Sequence, residues 1–236
     1  MAITNVGQPV SALSLSSGTS GTFSAFSPNA GSTYVVVIAA DTDNVGSSGT
    51  LTVSWATGGS GTWAQAYSFQ SDAFSPVSAV WWVTCSASPG SSTITVTSNS
   101  HINGFAASVN ELTGVAASPV GATTNVRGAD LTISLTPTAT GGLGFAALGD
   151  RSEPLSTTAN AASTTLSPNA GSSNGETLLT MCSSSTLTNG TPVAIGLASG
   201  SPTDANWIAV EILAGAGGTD ATVVLQPTVA NITIHS

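Results

Sequence analysis

The sequence predicts an all-β protein, and three observations carry that prediction. Strong helix formers are scarce, because the 236 residues include no Lys, two Arg and two Met. Val, Ile, Thr and Trp recur in short runs that alternate apolar with polar residues, as half-buried strands do. Clusters of Gly, Ser, Asn and Pro, such as TGGSG and SASPGSS, separate these runs as turns would. The pattern is typical of a jelly-roll-like β-sandwich.

Each predicted strand rests on its own run of residues. TYVVVIAA, LTVSW and TITVTS open the series, and DLTISLT begins a second one after residue 128. Well over a third of the residues are therefore expected in strands, with no helix beyond a turn or two. The predicted strands are 33–40, 50–55, 62–69, 78–85, 93–98 and 104–112 in the first series, and 130–136, 143–149, 177–182, 192–198 and 206–213 in the second.

The two series resemble each other in two places. SPNAGS occurs at Ser27–Ser32 and again at Ser167–Ser172, 140 residues later. An apolar strand ends in Glu111, and a similar one ends in Glu211, 100 residues later. Because the two offsets differ, duplication with rearrangement and coincidence are both open.

The predicted organisation is one domain with an extension. We expect one β-sandwich over residues 1–218, with pseudo-halves at about 1–118 and 119–218 facing each other. Residues 219–236 follow a Gly217–Gly218 hinge and are expected to form a strand tail that pairs with its own sheet or with a neighbouring subunit.

Charge excludes several classes of function. The chain has no lysine, and its two arginines, Arg127 and Arg151, stand against eleven acidic residues for a net charge of −9. A nucleic-acid-binding protein typically neutralises roughly six to ten phosphates with Lys and Arg, and binding to an anionic membrane also requires cationic side chains. Two arginines are too few for either function. No apolar run reaches the roughly 20 residues of a membrane span. The N-terminus lacks the basic and apolar regions of a secretory signal, so synthesis in the cytoplasm without export is expected.

The acidic residues offer two candidate sites. Asp41, Asp43 and Gly46 resemble the opening of a calcium loop, but Val45 occupies a ligand position and no closing Glu follows. An ordinary turn is expected there, with Ca²⁺ as the weaker alternative. Glu111 and Glu211 could form a glycosidase-type carboxylate pair, although strand-terminal glutamates more often protect a sheet edge.

Other chemistry has little support in the sequence. Residues 171–175 match G-x-S-x-G, but no helix follows, and the only histidines are His101 and His235. We expect no enzymatic activity and no cofactor. Cys85 and Cys182 each end an apolar stretch and are expected to be buried thiols, with one disulfide as the alternative.

Five tryptophans are the largest apolar side chains of the chain. Trp81 and Trp82 are adjacent on a strand and must face opposite sides. We expect Trp63 or Trp82 to be exposed and to contact a partner or a sugar ring.

The segment VSAVWWVTCSASPGSSTITVTS, followed by FAASVNELTGV, covers residues 78–115. It resembles a β-sandwich module of bacteriophage virion proteins that also occurs in secreted actinobacterial proteins. A looser resemblance reaches back to Gly21. The resemblance implies a fold but no active site, and we expect no appended catalytic or anchoring domain.

The resemblance implies a structural virion protein, assembled in the host cytoplasm. Such a protein would be a capsid decoration (cement) protein or a minor tail component, forming homo-oligomers and binding other virion proteins, with host glycans as a further expected partner. The alternative is a secreted or surface carbohydrate-binding or adhesive module.

Overall fold

The computed structural model describes residues 3–15, 18–42, 49–71, 76–151, 155, 158–167 and 177–215. Strands and isolated bridges account for 64% of these residues, and none of them lies in a helix. Consequently, the described part holds no helix that could cross a membrane. The prediction of an all-β sandwich is confirmed, while the jelly-roll connectivity stays a prediction.

Fifteen strands run through the described residues, and each of the eleven predicted runs coincides with one of them or with part of one. The strands are β1 Thr4–Gly7, β2 Leu13–Leu15, β3 Gly18–Thr22, β4 Thr33–Thr42, β5 Leu51–Thr57, β6 Ala64–Phe69, β7 Val77–Thr84, β8 Thr93–Thr113, β9 Val115–Gly128, β10 Thr132–Leu135, β11 Leu143–Asp150, β12 Ser163–Ser167, β13 Thr177–Ser183, β14 Val193–Gly196 and β15 Ala205–Ala214.

Two central sheets pack face to face. The first central sheet has the order β1-β8-β4-β7-β6, and the second has the order β9-β15-β11-β13-β12, all with antiparallel neighbours. Alternate side chains of β4, β11 and β15 fill the space between them and form the inter-sheet core. These side chains are Val35, Val37, Ala39, Leu143, Phe145, Ala147, Ile208, Val210 and Ile212.

An outer layer covers the other face of each central sheet. Residues 93–98 of β8 pair with β5, and residues 95–97 and Ile102 of β8 pair with β3. Val53 and Ile94 of this first outer layer pack against Val36 and Ile38 of β4, which defines the first outer core. On the second central sheet, a two-stranded sheet of β10 and β14 covers the outward side chains of β11 and β15, which defines the second outer core. The four layers therefore bury both faces of β4 and β11.

The two halves share a loop geometry as well as a strand order. In the first half, Gly31 N–H donates to the Cys85 carbonyl, and Cys85 N–H donates to the Ser32 carbonyl. In the second half, Gly141 and Gly142 make the same two bonds with Leu187. Gly31 and Gly141 both have positive φ, 81° and 89°. The SPNAGS loop at 27–32 thus corresponds to residues 137–142.

The second SPNAGS copy is not the structural counterpart of the first. Only its first residue, Ser167, is described, and it ends β12. The 100-residue offset agrees with the structure, because Glu111 pairs with Tyr34 of β4 and Glu211 pairs with Gly144 at the matching position of β11. The first central sheet ends at Thr113, a few residues before the expected boundary near 118.

Polar contacts also join the two halves. The guanidinium of Arg151, just after β11, lies 2.9 Å from Oδ1 of Asp41 in β4, whose side chain is fully buried. Nδ2 of Asn103 donates to Oδ2 of the same carboxylate at 3.2 Å. The Thr180 hydroxyl of β13 donates to the Ser108 hydroxyl of β8 at 2.9 Å. The halves are thus held by an ion pair and a hydroxyl bond in addition to apolar packing.

The two arginines provide a matched test of this ion pair. Arg151→Met should lower the free energy of unfolding by about 2–4 kcal/mol, because it leaves the Asp41 carboxylate buried without its cation. Arg127→Met removes an ion pair with Asp204 in which both side chains are exposed, 41% and 36%, and should cost less than about 1 kcal/mol. Urea unfolding of both variants measures the difference; equal losses would contradict the role of Arg151.

Candidate functional site

Glu111 lies near the end of β8 and faces the first outer core. Its Oε1 accepts hydrogen bonds from the Ser32 hydroxyl at 2.7 Å and from Nδ2 of Asn29 at 2.9 Å. The backbone N–H of Asn29 donates to the Tyr34 hydroxyl at 2.9 Å. Burial and, to a lesser extent, the neighbouring Glu111 carboxylate raise the pKa of Tyr34 well above its usual range. Glu111 therefore fastens the turn that precedes β4.

Glu211 lies at the corresponding place in β15 and is fully buried. Its Oε2 accepts from the Thr138 backbone N–H at 2.8 Å, the Thr138 hydroxyl at 2.7 Å and the Ala122 backbone N–H at 2.9 Å. Its Oε1 accepts from the Ala139 backbone N–H at 3.1 Å. Gly121 provides the space, because a Cβ there would collide with Oε2. The carboxylate thus fastens β9 and the turn before β11 to β15.

These positions separate the two glutamates. Glu111 shares its strand face with Val109 of the first outer core, and Glu211 shares its face with Ala209 of the second. The two carboxylates point away from an inter-sheet space that is itself about 10 Å thick. The structure therefore does not bring them together as a glycosidase pair, which needs about 5–10 Å across a cleft.

The edge-protecting role expected for these glutamates is wrong as well. At Glu111, β8 has neighbours on both sides, β1 and β4. At Glu211, β15 lies between β9 and β11. Both carboxylates act in the interior, where their hydrogen bonds compensate for the loss of water.

The calcium alternative loses one of its two ligands. Both oxygens of Asp41 are occupied, by Arg151 and Asn103. Asp43 lies outside the described residues, as do residues 171–175 and His235. Among the described residues, no group of three or more His, Cys, Asp and Glu side chains is placed to hold a metal ion.

The two cysteines are buried and free. Cys85 belongs to the first outer core and Cys182 to the inter-sheet core, so they lie in different layers and form no disulfide. Burial raises the pKa of Cys182 to about 12 and also raises the pKa of Cys85. Both thiols are therefore neutral at physiological pH and poorly reactive.

Trp81 and Trp82 face opposite sides of β7, as their adjacency requires. Trp82 packs against the inter-sheet core, whereas Trp81 and Trp63 pack against the first outer core. Neither Trp63 nor Trp82 is fully exposed, so the expectation of exposure is corrected to partial burial.

The tryptophan cluster, defined as Trp55, Trp63 and Trp81, is the least satisfied polar feature of the first half. The Trp55 and Trp63 rings are 5.2 Å apart. The Nε1 atoms of all three are covered by protein, yet none has a hydrogen-bond partner among the described residues. By contrast, the fully buried Trp207 donates its Nε1–H to the Asp130 carbonyl at 2.9 Å. A covered donor without an acceptor typically costs about 1–3 kcal/mol, so three in one place need an explanation.

Sequence reasoning singled out Trp63 and missed Trp55 and Trp81. The signal for Trp55 was present, since Leu51 and Val53 precede it at the two-residue spacing of one strand face. The sequence segments that contain the three tryptophans also lack charge, because residues 49–71 and 76–100 contain no Asp, Glu, Lys or Arg.

No protein-family model matches the chain, and no curated protein or solved structure is significantly similar to it. The resemblance of residues 78–115 to virion modules therefore stays a prediction from the sequence.

The two glutamates should respond differently to the same substitution. Glu111→Gln should cost less than about 1.5 kcal/mol, because Asn29 and Ser32 both donate to Oε1 and an amide oxygen can replace it. Glu211→Gln should cost about 2–4 kcal/mol, because both of its oxygens accept and an amide nitrogen would face a donor. Chemical denaturation gives both values; a larger loss for Glu111→Gln would refute this account.

Stability should fall at alkaline pH. A thiol whose pKa is raised by folding stabilises the protein fully below its unfolded pKa, 9.0 for Cys182, and loses that contribution as pH rises towards about 12. The expected slope is at most about 1.4 kcal/mol per pH unit for each such group. Unfolding measured between pH 8 and pH 11 should show a shallower decline for Cys182→Ala than for the parent protein, even if the variant is less stable at pH 7. Identical slopes would mean that Cys182 does not titrate differently in the two states.

Proposed function

We propose that the chain is a structural protein of a bacteriophage particle, either a capsid decoration protein or a minor tail component. In this role it stabilises the particle through contacts with copies of itself and with other virion proteins, and it catalyses no reaction. It assembles in the host cytoplasm and remains in the virion.

The observation that carries the proposal is the place of residues 78–115 in the fold. This segment, which resembles virion modules, forms nearly all of β7 and β8 and so provides two of the strands at the centre of the first half. Within it, Glu111 fastens the turn before β4, and Gly114, with a φ of 72°, redirects the chain into β9 of the second half. The resembling residues thus build the framework itself, as expected of a module whose role is mechanical.

The layer arrangement supports the same role. Because outer layers cover both central sheets, the surfaces left for assembly include the sheet edges. In the described part of the chain, β6 ends the first central sheet and β9 ends the second, and the Tyr67 hydroxyl bonds Oδ1 of Asn125 between them at 2.6 Å. Edge strands of this kind pair readily with a neighbouring chain. A charge-poor exterior without lysine is compatible with burial in a lattice.

One observation favours a second candidate function, a carbohydrate-binding module of a bacterial surface. The tryptophan cluster offers partly exposed indole rings in an uncharged region, and such rings stack on sugars. A saccharide contact is compatible with either function, so it does not discriminate between them.

Sedimentation tests the proposed function. Lysates of phage-producing cultures that carry the gene are separated on a density gradient, and the protein is quantified by mass spectrometry against the major capsid protein. Fixed stoichiometry in the particle fraction is the expected result. Its presence only in the soluble fraction or on the cell surface, with intact particles lacking it, would overturn the proposal in favour of the adhesive module.

A further inference from the structure

We infer that the tryptophan cluster forms a binding site for a neutral saccharide. The inference deepens the proposed function and rests on it for its biological role, which would be contact between the particle and host-surface glycans. Its physical basis lies in the described residues of the first half alone.

The three indoles lie on one side of the first central sheet. Trp81 is opposite Gln65 in the β6-β7 register, and Ala64 is opposite Trp82, so Trp63 is the diagonal neighbour of Trp81. Trp63 and Trp81 both pack against the first outer core, which places them on the same face. Trp55 belongs to β5 of the first outer layer and contacts Trp63 from across that core. All three side chains are partly exposed while their Nε1 atoms are covered, so a ligand contacts the rings first and reaches the nitrogens only when the covering residues move.

The unmatched indole donors indicate the chemistry of the ligand. The cluster provides three N–H groups, and no residue in the described part of the chain accepts a hydrogen bond from any of them. A saccharide offers hydroxyl and ring oxygens as acceptors, and its C–H faces pack on aromatic rings. A purely apolar ligand would leave the three donors unpaired, which argues against an acyl chain or an apolar peptide side chain.

The absence of charge in the surrounding sequence selects for a neutral ligand. Residues 49–71 and 76–100, which include all three tryptophans, carry no charged side chain. An anionic sugar or a phosphate would lack a cation in these segments. The nearest carboxylate described on this core, that of Glu111 beside Tyr34, is already engaged within the protein by Asn29 and Ser32. The polar side chains beside the cluster include Gln65, whose Nε2 donates to the Ser68 hydroxyl at 2.6 Å. Amides and hydroxyls of this kind are common partners of neutral sugars.

The loop between β5 and β6 controls access to Trp55. Gly58, Gly59 and Gly61 all have positive φ, 59°, 81° and 85°. The backbone of Gly59 lies directly on the Trp55 ring, where a Cβ would collide with the indole. Its N–H is held by the Ser92 hydroxyl at 2.8 Å. A ligand that reaches the Trp55 nitrogen must therefore displace this glycine loop.

Indole N–H signals give a direct test. ¹⁵N-labelled protein is titrated with cellohexaose, maltohexaose and chitohexaose, and the five indole signals are assigned with Trp→Phe variants. With at least one of these oligosaccharides, the signals of Trp55, Trp63 and Trp81 should shift, while that of Trp207, whose donor is already bonded, should not.

Substitution then isolates the donors. Trp63→Phe and Trp81→Phe keep an aromatic ring but remove the N–H, and each should weaken binding about five- to tenfold. Trp82→Phe is the matched control, because Trp82 neighbours Trp81 on β7 and faces the other side, so its affinity should be unchanged. The Trp207 signal reports that each variant is folded. The inference is overturned if none of the three oligosaccharides shifts the N–H signals of the cluster, or if these N–H groups bond only to bound water. It is also overturned if Trp82→Phe weakens oligosaccharide binding as much as Trp63→Phe and Trp81→Phe do.

The two proposals fail separately. Saccharide binding is measured on the isolated protein, and particle association is measured by sedimentation. Oligosaccharide shifts without particle association would overturn the virion role and leave the site intact. Particle association of Trp63→Phe at parent stoichiometry, together with no shift in the parent protein, would overturn the site and leave the virion role intact.

Discussion

The structure depends on burying both faces of the central strands. Every residue of β11 is buried, and β4 places alternate side chains in the inter-sheet core and the first outer core. A sheet with two apolar faces is stable only if both faces are covered, so the packing of the central sheets on each other also requires the outer layers. The long strand β8 meets this need in the first half by contributing to both layers, whereas the second half uses the separate strands β14 and β15.

Burying a charged group costs free energy unless hydrogen bonds replace its contacts with water. The interior carboxylates of Glu111 and Glu211 lie where several hydrogen-bond donors of the protein point to one place. Glu111 uses two side-chain donors, from Asn29 and Ser32, whereas Glu211 uses three backbone N–H groups and one hydroxyl. The two halves thus solve one problem, the fastening of a turn to the neighbouring strand, with different residues. This difference explains why the corresponding turn sequences, SPNAGS and PTATGG, share little beyond a proline and a glycine with positive φ.

Local sequence pattern predicted the strands whose apolar residues recur regularly. It did not predict strands without such a pattern or contacts between residues that are distant in the sequence. β9 was missed because its residues, VAASPVGATTNVRG, are mostly partly exposed and show no regular apolar period. β1, β2, β3 and β12 were missed because they are short and contain at most two apolar residues each, whereas the equally short β10 lies in a run, DLTISLT, that alternates over five residues. The Asp41–Arg151 ion pair joins residues 110 positions apart, and the structural counterpart of the SPNAGS loop has a different sequence. Neither could be predicted from local pattern, because both depend on how the two sheets stack.

The tryptophans show how the same residue type is used in two ways by the same fold. Trp207 is fully buried and its indole donor is bonded, which is the usual arrangement for a core tryptophan. Trp55, Trp63 and Trp81 have apolar contacts of a similar kind, but their N–H donors are covered and have no acceptor within the ranges that the structure describes. Packing alone would be served equally well by phenylalanine, which fills most of the same space without the desolvation cost of an N–H. Three indoles in one cluster that lack an acceptor within the described part of the chain are therefore better accounted for by an acceptor from outside the chain than by the stability of the core. This difference in hydrogen bonding marks the tryptophan cluster as the place where a ligand is expected.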